Sequence, residues 1–259
     1  KVYSWGIATE NANLQWYYRT WDSYWGWRGP YGPYDCDYEQ YCITTSAPCP
    51  YSGDCTYPTR TGRLGLGVDY FFSKTPREVT GITGVVTSVS CGISHCLALT
   101  RDGKVWAWGD NTYGQLGNGL DGEVRHSPVR VGYTAAKGGA LSDAVIIAIS
   151  AGSYHSMALG SLGEVYIWGL NTNGQIGDGI VRSPKLLFVS PMNKQIFGAV
   201  SAGSTSSLAL TTGGKVIAWG ANSDYQLGIN STVTQATPTV INVLSDIKLI
   251  SASSLDANF

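Results

Sequence analysis

The 259-residue chain contains little charge and no long apolar segment. Charged residues make up 14% of it, against about 25% in an ordinary soluble domain. The formal net charge of −1 provides no electrostatic basis for binding nucleic acid or an anionic membrane surface. No run of about 18 apolar residues occurs, so the sequence predicts no membrane-spanning helix.

Patterns typical of catalytic and metal sites are absent as well. The three histidines are scattered and have no carboxylate partners at metal-ligand spacing, so no metal site is expected. The G-x-L-G elements lack the Lys-Ser/Thr pair of a phosphate-binding loop, and neither a nucleophile elbow nor a zinc-protease motif is present. We therefore expect a protein that is not an enzyme and carries no cofactor.

The chain is rich in glycine, with 33 residues, and contains one pattern that recurs. Complete copies are KVWAWGDNTYGQLG at 104–117, EVYIWGLNTNGQIG at 164–177 and KVIAWGANSDYQLG at 215–228. The two halves of a fourth copy stand apart, as KVYSWG at 1–6 and GRLG at 62–65. Such a period is typical of architectures built from one repeated supersecondary unit.

Each complete copy follows two further β-rich segments, and we predict four strands in each unit of the repeat. The first segment ends in small residues (VVTSVSCG at 85–92, VIIAISAG at 145–152), and the second follows at once. Such units cannot bury their apolar faces singly, but stacked blades can. The sequence therefore predicts an all-β fold, a β-propeller of four-stranded blades with three full repeats and one split across the termini.

The positions of the copies set the predicted boundaries, with propeller repeats in 1–6 and 62–259 and an insertion at 7–61. The full units are expected near 85–131, 145–190 and 197–242, and the split unit in 247–259, 1–6 and 62–80. Lys1 lies inside a repeat, so a processed or partial chain is expected.

The copies together resemble the regulator of chromosome condensation repeat family, whose units carry CG/AG-x-x-H-x-x-A-L, V-x-x-W-G and G-Q-L-G. In the first complete copy the opening motif reads Cys91-Gly92, His95 and Ala98-Leu99. The resemblance implies a propeller that normally closes at seven blades. Two arrangements remain open: a larger ring completed by missing sequence or by another chain, and an unusual four-bladed ring.

The repeated tryptophans and histidines are expected to be structural, with the histidines at a blade interface. These residues are Trp5, Trp108, Trp168, Trp219, His95 and His155. The chain departs from the family pattern where Ser206 replaces a histidine and Tyr225 replaces a glycine.

The insertion at 7–61 contains four cysteines, Cys36, Cys42, Cys49 and Cys55. Disulfide bonds are the leading interpretation, because a loop without a core gains most from cross-links. Zinc and free thiols are the alternatives, although these spacings are wider than those of usual zinc sites. Outside the insertion, Cys91 and Cys96 are either small buried apolar residues or a short cross-turn disulfide.

The insertion also holds a dense run of aromatic residues, for which three interpretations remain open. The rings could form a local core, make a protein–protein contact, or provide a platform on which sugar rings stack. The candidate interaction residues are Trp16, Tyr17, Tyr18, Trp21, Trp25, Trp27 and Arg28.

Disulfides in the insertion, together with the glycosylation sequon at Asn230, favour an extracellular or cell-surface location. We expect a structural or adhesive module that binds other protein subunits, its own kind or different, in a cell-surface or filamentous structure. The family resemblance implies one alternative, guanine-nucleotide exchange on a small GTPase. Glycan binding is a second alternative, and an inhibitor or sensor is a third.

Overall fold

The computed structural model describes residues 1–7, 62–67, 72–119, 122–134, 137–138, 141, 144–181, 185–189 and 195–253. Every regular element within these ranges is a β-strand, which confirms the predicted all-β class. The strands are β1 (Tyr3–Ile7), β2 (Phe72–Glu78), β3 (Val86–Cys91), β4 (His95–Thr100), β5 (Val105–Gly109), β6 (Arg125–Arg130), β7 (Tyr133–Thr134), β8 (Lys137–Gly138), β9 (Ile146–Ala151), β10 (His155–Gly160), β11 (Val165–Gly169), β12 (Lys185–Val189), β13 (Phe197–Ala202), β14 (Ser206–Thr211), β15 (Val216–Gly220) and β16 (Gln235–Val240). The same ranges contain no helix that is long and apolar enough to cross a membrane.

Twelve of these strands form three antiparallel sheets of four strands each, with the strands in chain order. The first blade is β3–β6, the second β9–β12 and the third β13–β16. The second and third strands of a blade join at a tight turn, where Gly103 has a φ of 76°. A Cβ at that glycine would lie 2.8 Å from Val145 Cγ1 in the next blade, so the position requires glycine for both conformation and space.

The hairpin β1–β2 is half of a further blade. Its register shifts between Ser4 and Gly6, and Gly6 pairs with Ser73. The hairpin β5–β6 of the first blade shifts in the same way before Gly109 pairs with Arg125. The hairpin β1–β2 therefore corresponds to the third and fourth strands of a blade, and we call it the half-blade.

The apolar core lies between consecutive blades rather than inside each one. Trp168 of the second blade packs with Leu97 and Leu116 of the first, and Trp219 of the third packs with Ile176 of the second. All five side chains are fully buried. Truncating a buried tryptophan to alanine costs about 3–5 kcal/mol, so neighbouring blades depend strongly on each other.

Residues 247–253 continue the series beyond the third blade. The Ala252 N–H donates to Ser201 Oγ at 2.8 Å, just as the Ala202 N–H donates to Ser150 Oγ at 2.9 Å. Ile250 also packs against the core cluster of the third blade. This tail segment thus occupies the position of the first strand of another blade.

Cys91 and Cys96 are directly opposite each other in the β3–β4 pairing and form a disulfide. Of the two alternatives for this pair, the structure contains the cross-turn disulfide. Residues 8–61 are outside the described part of the chain, and so are the four cysteines and the seven candidate interaction residues predicted there.

Tyr225 has a φ of 58°, at the position where the other complete copies have Gly114 and Gly174 with φ of 72° and 73°. Its N–H still donates to the Asn222 carbonyl at 3.2 Å, so this turn has the same hydrogen bond as the turns of the other two blades. A tyrosine in the left-handed region costs about 1–2 kcal/mol.

We predict that Tyr225→Gly raises the free energy of unfolding by about 0.5–1 kcal/mol, because relief of the left-handed conformation exceeds the added chain entropy. Urea unfolding would measure the free energy of unfolding of the variant and of the wild type. Gly174→Tyr is the matched control and should destabilise, since a Cβ there lies 2.7 Å from Ala236 Cα. A destabilised Tyr225→Gly variant would contradict the prediction.

Candidate functional site

A shared backbone carbonyl connects the first and second blades. The Gln115 carbonyl oxygen of the first blade accepts hydrogen bonds from Trp168 Nε1 at 2.8 Å and from Ser156 Oγ at 2.8 Å. The Ser156 hydroxyl is in turn 2.8 Å from His95 Nε2. All four side chains are fully buried, so these bonds form in an environment from which water is excluded. We call this arrangement a junction.

The same arrangement recurs between the second and third blades. The Gln175 carbonyl accepts from Trp219 Nε1 at 2.8 Å and from Ser207 Oγ at 2.8 Å. His155 Nε2 lies 3.0 Å from that serine hydroxyl. The geometry is therefore a property of the repeat and not of one blade.

The junction between the half-blade and the first blade is a reduced version. The Arg63 carbonyl accepts from Trp108 Nε1 at 2.9 Å. Cys96 stands where the other junctions have serine, and its Sγ lies 3.9 Å from the same carbonyl oxygen. Cys96 is bonded to Cys91, so it has no proton to donate to this carbonyl.

The G-Q-L-G turn holds each shared carbonyl in place. In the first blade Asn111 Oδ1 accepts from the Leu116 N–H at 3.0 Å, and Gln115 Oε1 accepts from the Tyr113 N–H at 2.8 Å. Asp110 Oδ2 then accepts from Gln115 Nε2 at 2.8 Å. The Asn111 and Gln115 side-chain oxygens accept hydrogen bonds from backbone N–H groups of the turn that have no backbone partner among the described residues, because buried amide groups require partners.

The second blade repeats this turn with one difference. Asn171 Oδ1 accepts from the Ile176 N–H at 3.0 Å, but Leu170 stands where the first blade has Asp110. As a result Gln175 Nε2 has no hydrogen-bond partner among the described residues. The first blade therefore has the more completely bonded turn.

The junction geometry fixes which nitrogen of His95 carries a proton. Ser156 Oγ donates its proton to a carbonyl, so it must accept one from His95 Nε2, and His95 Nδ1 has no hydrogen-bond partner among the described residues. Burial lowers the pKa of His95 to about 4 and the pKa of His155 to about 3. Both rings are thus uncharged at neutral pH.

The glycine before each histidine is required by the neighbouring blade. A Cβ at Gly92 would overlap the Gly152 carbonyl oxygen of the second blade. At Gly152 a Cβ would lie 2.8 Å from His155 Nδ1 and would overlap the Gly203 carbonyl. The glycine of the CG and AG dipeptides therefore allows the first strand of one blade to approach the first strand of the next blade closely.

Chemically, the junctions stabilise the stack and provide no reaction centre. Their serines and histidines donate along one chain that ends on a carbonyl, so no serine hydroxyl is activated as a nucleophile. The described residues also contain no group of three or more His, Cys, Asp or Glu side chains that could hold a metal ion.

A second feature is a contact between turns of neighbouring blades. Tyr113 of the first blade contacts Tyr154 of the second, with ring centroids 5.4 Å apart and an interplanar angle of 78°. In the half-blade Arg63 follows the insertion, and its guanidinium donates to the Ile93 carbonyl at 2.5 Å. In the sequence, residues 7–61 stand where the first blade has the turn that carries Tyr113.

The structure places most of the candidate site residues that it describes in these features. Trp108, Trp168 and Trp219 donate at the junctions, and Trp5 lies on β1 at the matching register position. Asn230 is exposed, with a φ of 52°. The sequence reasoning missed Ser156 and Ser207, which His95 and His155 contact, and the role of the glutamine carbonyl, although the recurring G-Q-L-G motif indicated the second.

Comparison with known proteins gives consistent matches to one family. Two family profiles, both described as Regulator of chromosome condensation (RCC1) repeat, match the chain. The first matches residues 86–115, 146–175 and 199–226, and the second residues 102–159 and 213–254.

Similar proteins include two from Arabidopsis thaliana. The mitochondrial RCC1 domain-containing protein RUG3 is 34% identical over 71% of this chain and 41% of the relative. The ultraviolet-B receptor UVR8 is 36% identical over 72% of this chain and 41% of the relative. The chain thus spans less than half the length of these relatives.

Among solved structures, Prp20p from Saccharomyces cerevisiae is similar, with 25% identity and a TM-score of 0.56. The match covers 70% of this chain and 44% of Prp20p, whose structure is described together with its binding to Gsp1p and histones. This similarity, with the four-stranded sheets, confirms the predicted β-propeller fold.

The expected extracellular location is wrong. The similar proteins include a mitochondrial protein, and the family matches give no evidence of secretion. The expectation relied on cysteine spacing and a single sequon, and short patterns of this kind occur by chance. Glycan binding likewise has no support in the comparisons.

We predict that the protein loses stability as the pH falls from 6.5 toward 4. Unfolding returns both histidines to their ordinary pKa of 6.5, so the unfolded chain binds more protons in this window than the folded chain. The histidine contribution is complete above pH 6.5 and falls by about 1.4 kcal/mol per pH unit for each ring.

Urea unfolding at several pH values would measure this slope. The double variant His95→Gln/His155→Gln should flatten it, whereas Ser206→Gln, at the same repeat position of the third blade, should leave it unchanged. A double variant that keeps the wild-type slope would contradict the junction role of the histidines.

Proposed function

Because the chain belongs to the regulator of chromosome condensation (RCC1) repeat family, we propose that it is a non-enzymatic propeller module that binds a protein partner through residues 7–61. RCC1-type propellers mediate protein interactions. The proposal names residues 7–61 as the part of this chain that makes the contact.

The position of the insertion supports this proposal most directly. Three copies of the repeat close the third strand with a turn of regular length, and only the half-blade replaces that turn with residues 7–61. In the first blade the regular turn carries Tyr113, which contacts Tyr154 of the second blade. A loop of this length in a compact domain is uncommon and usually functional.

The composition of the insertion agrees with protein contact. Trp, Tyr and Arg dominate the energetics of protein interfaces, and they are concentrated between Trp16 and Arg28. The recurring polar side chains of the blades, in contrast, form hydrogen bonds inside the junctions.

The alternative is guanine-nucleotide exchange on a small GTPase. It is favoured by the similarity to Prp20p, whose structure is described with its binding to Gsp1p. The chain covers only 44% of that structure, so a partner surface formed by the whole of Prp20p is only partly represented here.

We predict that replacing residues 7–61 by Asp-Asn-Thr-Tyr, the turn of the first blade, removes partner binding and leaves the blades folded. A photo-crosslinker at Tyr17 in the full chain should attach to a protein partner in cells, and one at Thr212 in the third blade should not. Unfolding measurements on the turn-graft variant would verify that its blades remain intact.

Two results would contradict the proposal. Crosslinks that come from Thr212 and not from Tyr17 would place the contact on the blades. Accelerated release of labelled GDP from a small GTPase, equal in the full chain and the graft variant, would support the alternative.

A further inference from the structure

The disulfide of the first blade lies at a position where the other two blades have different residues. Cys91 and Cys96 are directly opposite each other across β3 and β4. The corresponding cross-strand pairs each consist of an alanine and a serine, namely Ala151–Ser156 in the second blade and Ala202–Ser207 in the third. The two cysteines therefore stand where the repeat has an alanine and the serine of the junction.

The backbone hairpin that carries this disulfide also forms without cysteine. In the first blade the Gly92 N–H donates to the His95 carbonyl at 2.9 Å. In the second blade, whose strands β9 and β10 contain no cysteine, the Gly152 N–H donates to the His155 carbonyl at the same distance of 2.9 Å. The turn between the first two strands therefore keeps its hydrogen bond when no S–S bond is present.

The disulfide also closes a very short loop. Cys91 and Cys96 are five positions apart in the sequence. In the chain-entropy description a cross-link stabilises a protein less as the loop that it closes becomes shorter. A structural cross-link at this place would therefore add little to a hairpin that is already hydrogen-bonded.

The bonding state of Cys96 determines how many donors the shared carbonyl of this junction receives. The Arg63 carbonyl accepts from Trp108 Nε1 at 2.9 Å, and Cys96 Sγ lies 3.9 Å from the same oxygen. A sulfur in a disulfide has no proton, whereas a thiol is a weak hydrogen-bond donor. The dithiol form therefore supplies the second donor that Ser156 and Ser207 supply at the other junctions.

Arg63 contacts the disulfide hairpin a second time. Its guanidinium donates to the carbonyl of Ile93, which lies in the turn between the two cysteines. The backbone carbonyl and the side chain of Arg63 thus both bind the hairpin that the disulfide joins. A change in the bonding of the cysteines therefore acts on the segment 62–67 of the half-blade.

We propose that Cys91 and Cys96 form a reversible thiol–disulfide site that couples the redox state of the surroundings to the junction between the half-blade and the first blade. In the reducing direction, a thiolate of a thiol reductant attacks one sulfur of the pair, the S–S bond breaks, and a mixed disulfide forms. A second thiolate of the reductant then releases the protein sulfur. The pair gains two electrons and two protons, and the reductant leaves as its own disulfide.

The two redox states differ in one contact of the junction. In the dithiol state the Cys96 thiol and the Trp108 indole both donate to the Arg63 carbonyl, and in the disulfide state the indole donates alone. The dithiol state therefore holds residues 62–67 more firmly on the first blade. This site is independent of the function proposed for residues 7–61, because none of the groups involved lies in that segment.

Differential alkylation of the full chain, in native buffers of increasing thiol-to-disulfide ratio, would measure the reversibility of the site. We expect both cysteines to become labelled together while the tryptophan fluorescence remains that of the folded chain. Treatment with oxidised glutathione before alkylation should abolish the label. Tryptic digestion separates this pair from the other cysteines, because the peptide 78–101 contains only Cys91 and Cys96.

Amide hydrogen exchange would measure the effect on the junction. The Gly65 N–H donates to the Gly62 carbonyl at 3.0 Å, so its exchange reports on the opening of residues 62–67. We expect exchange of this segment to slow by about threefold on reduction, which is the effect of one weak S–H···O hydrogen bond. Exchange of residues 174–177, at the junction between the second and third blades, should not change.

Two double variants separate the effect of the donor from the loss of the S–S bond. Cys91→Ala/Cys96→Ser reproduces the alanine–serine pair of the second blade and supplies a donor without redox chemistry. Cys91→Ala/Cys96→Ala is the matched control without a donor. We expect residues 62–67 to exchange more slowly in the serine variant than in the alanine variant, and neither variant to respond to reductant there. The lack of a response also controls for the four cysteines of residues 7–61.

Two results would overturn the proposal. One is a cysteine pair that is reduced only when urea unfolds the chain, since the disulfide would then be a permanent cross-link. The other is exchange of residues 62–67 that is equal or faster in the reduced wild type than in the oxidised wild type. This second comparison needs no variant, so it remains decisive even if a double variant does not fold.

Discussion

The structure depends on one backbone carbonyl at each contact between blades. A four-stranded sheet of this size cannot bury its apolar face alone, so each blade is stable only when its neighbour covers it. The shared carbonyl fixes how that neighbour docks, because it accepts the indole N–H of the tryptophan that fills the interface. Directional bonds inside a dry interface specify one packing arrangement out of many that would bury the same area.

Other features of the repeat follow from this contact. The serine that shares the carbonyl requires a donor of its own, which the neutral imidazole provides. The ring fits only because glycine precedes it by three residues, at Gly92 and Gly152. At the junction with the half-blade, Cys96 stands at the serine position and is bonded to Cys91. The serine, histidine and glycine positions of the repeat are therefore linked through this one contact.

Much of this could be predicted from the sequence, because repetition reveals which residues share an environment. Three copies of V-x-x-W-G and G-Q-L-G were enough to predict four-stranded blades and to assign the tryptophans to their core. The hydrogen-bond partners could not be predicted, because they involve residues about one repeat apart, such as Trp168 and the Gln115 carbonyl. Cysteine spacing was also insufficient to choose between a buried Cys91–Cys96 pair and a disulfide, and it gave a wrong location.

The most direct test compares Trp168 in urea unfolding with Trp106, which lies two residues before the equivalent tryptophan of the first blade. Trp168→Phe removes an indole N–H that donates to a shared carbonyl, whereas the Trp106 indole N–H is buried without a partner among the described residues. If the junction bond is essential, Trp168→Phe should lower the free energy of unfolding by about 1–3 kcal/mol more than Trp106→Phe. Equal losses from the two variants would contradict the account, because packing alone would then hold the blades together.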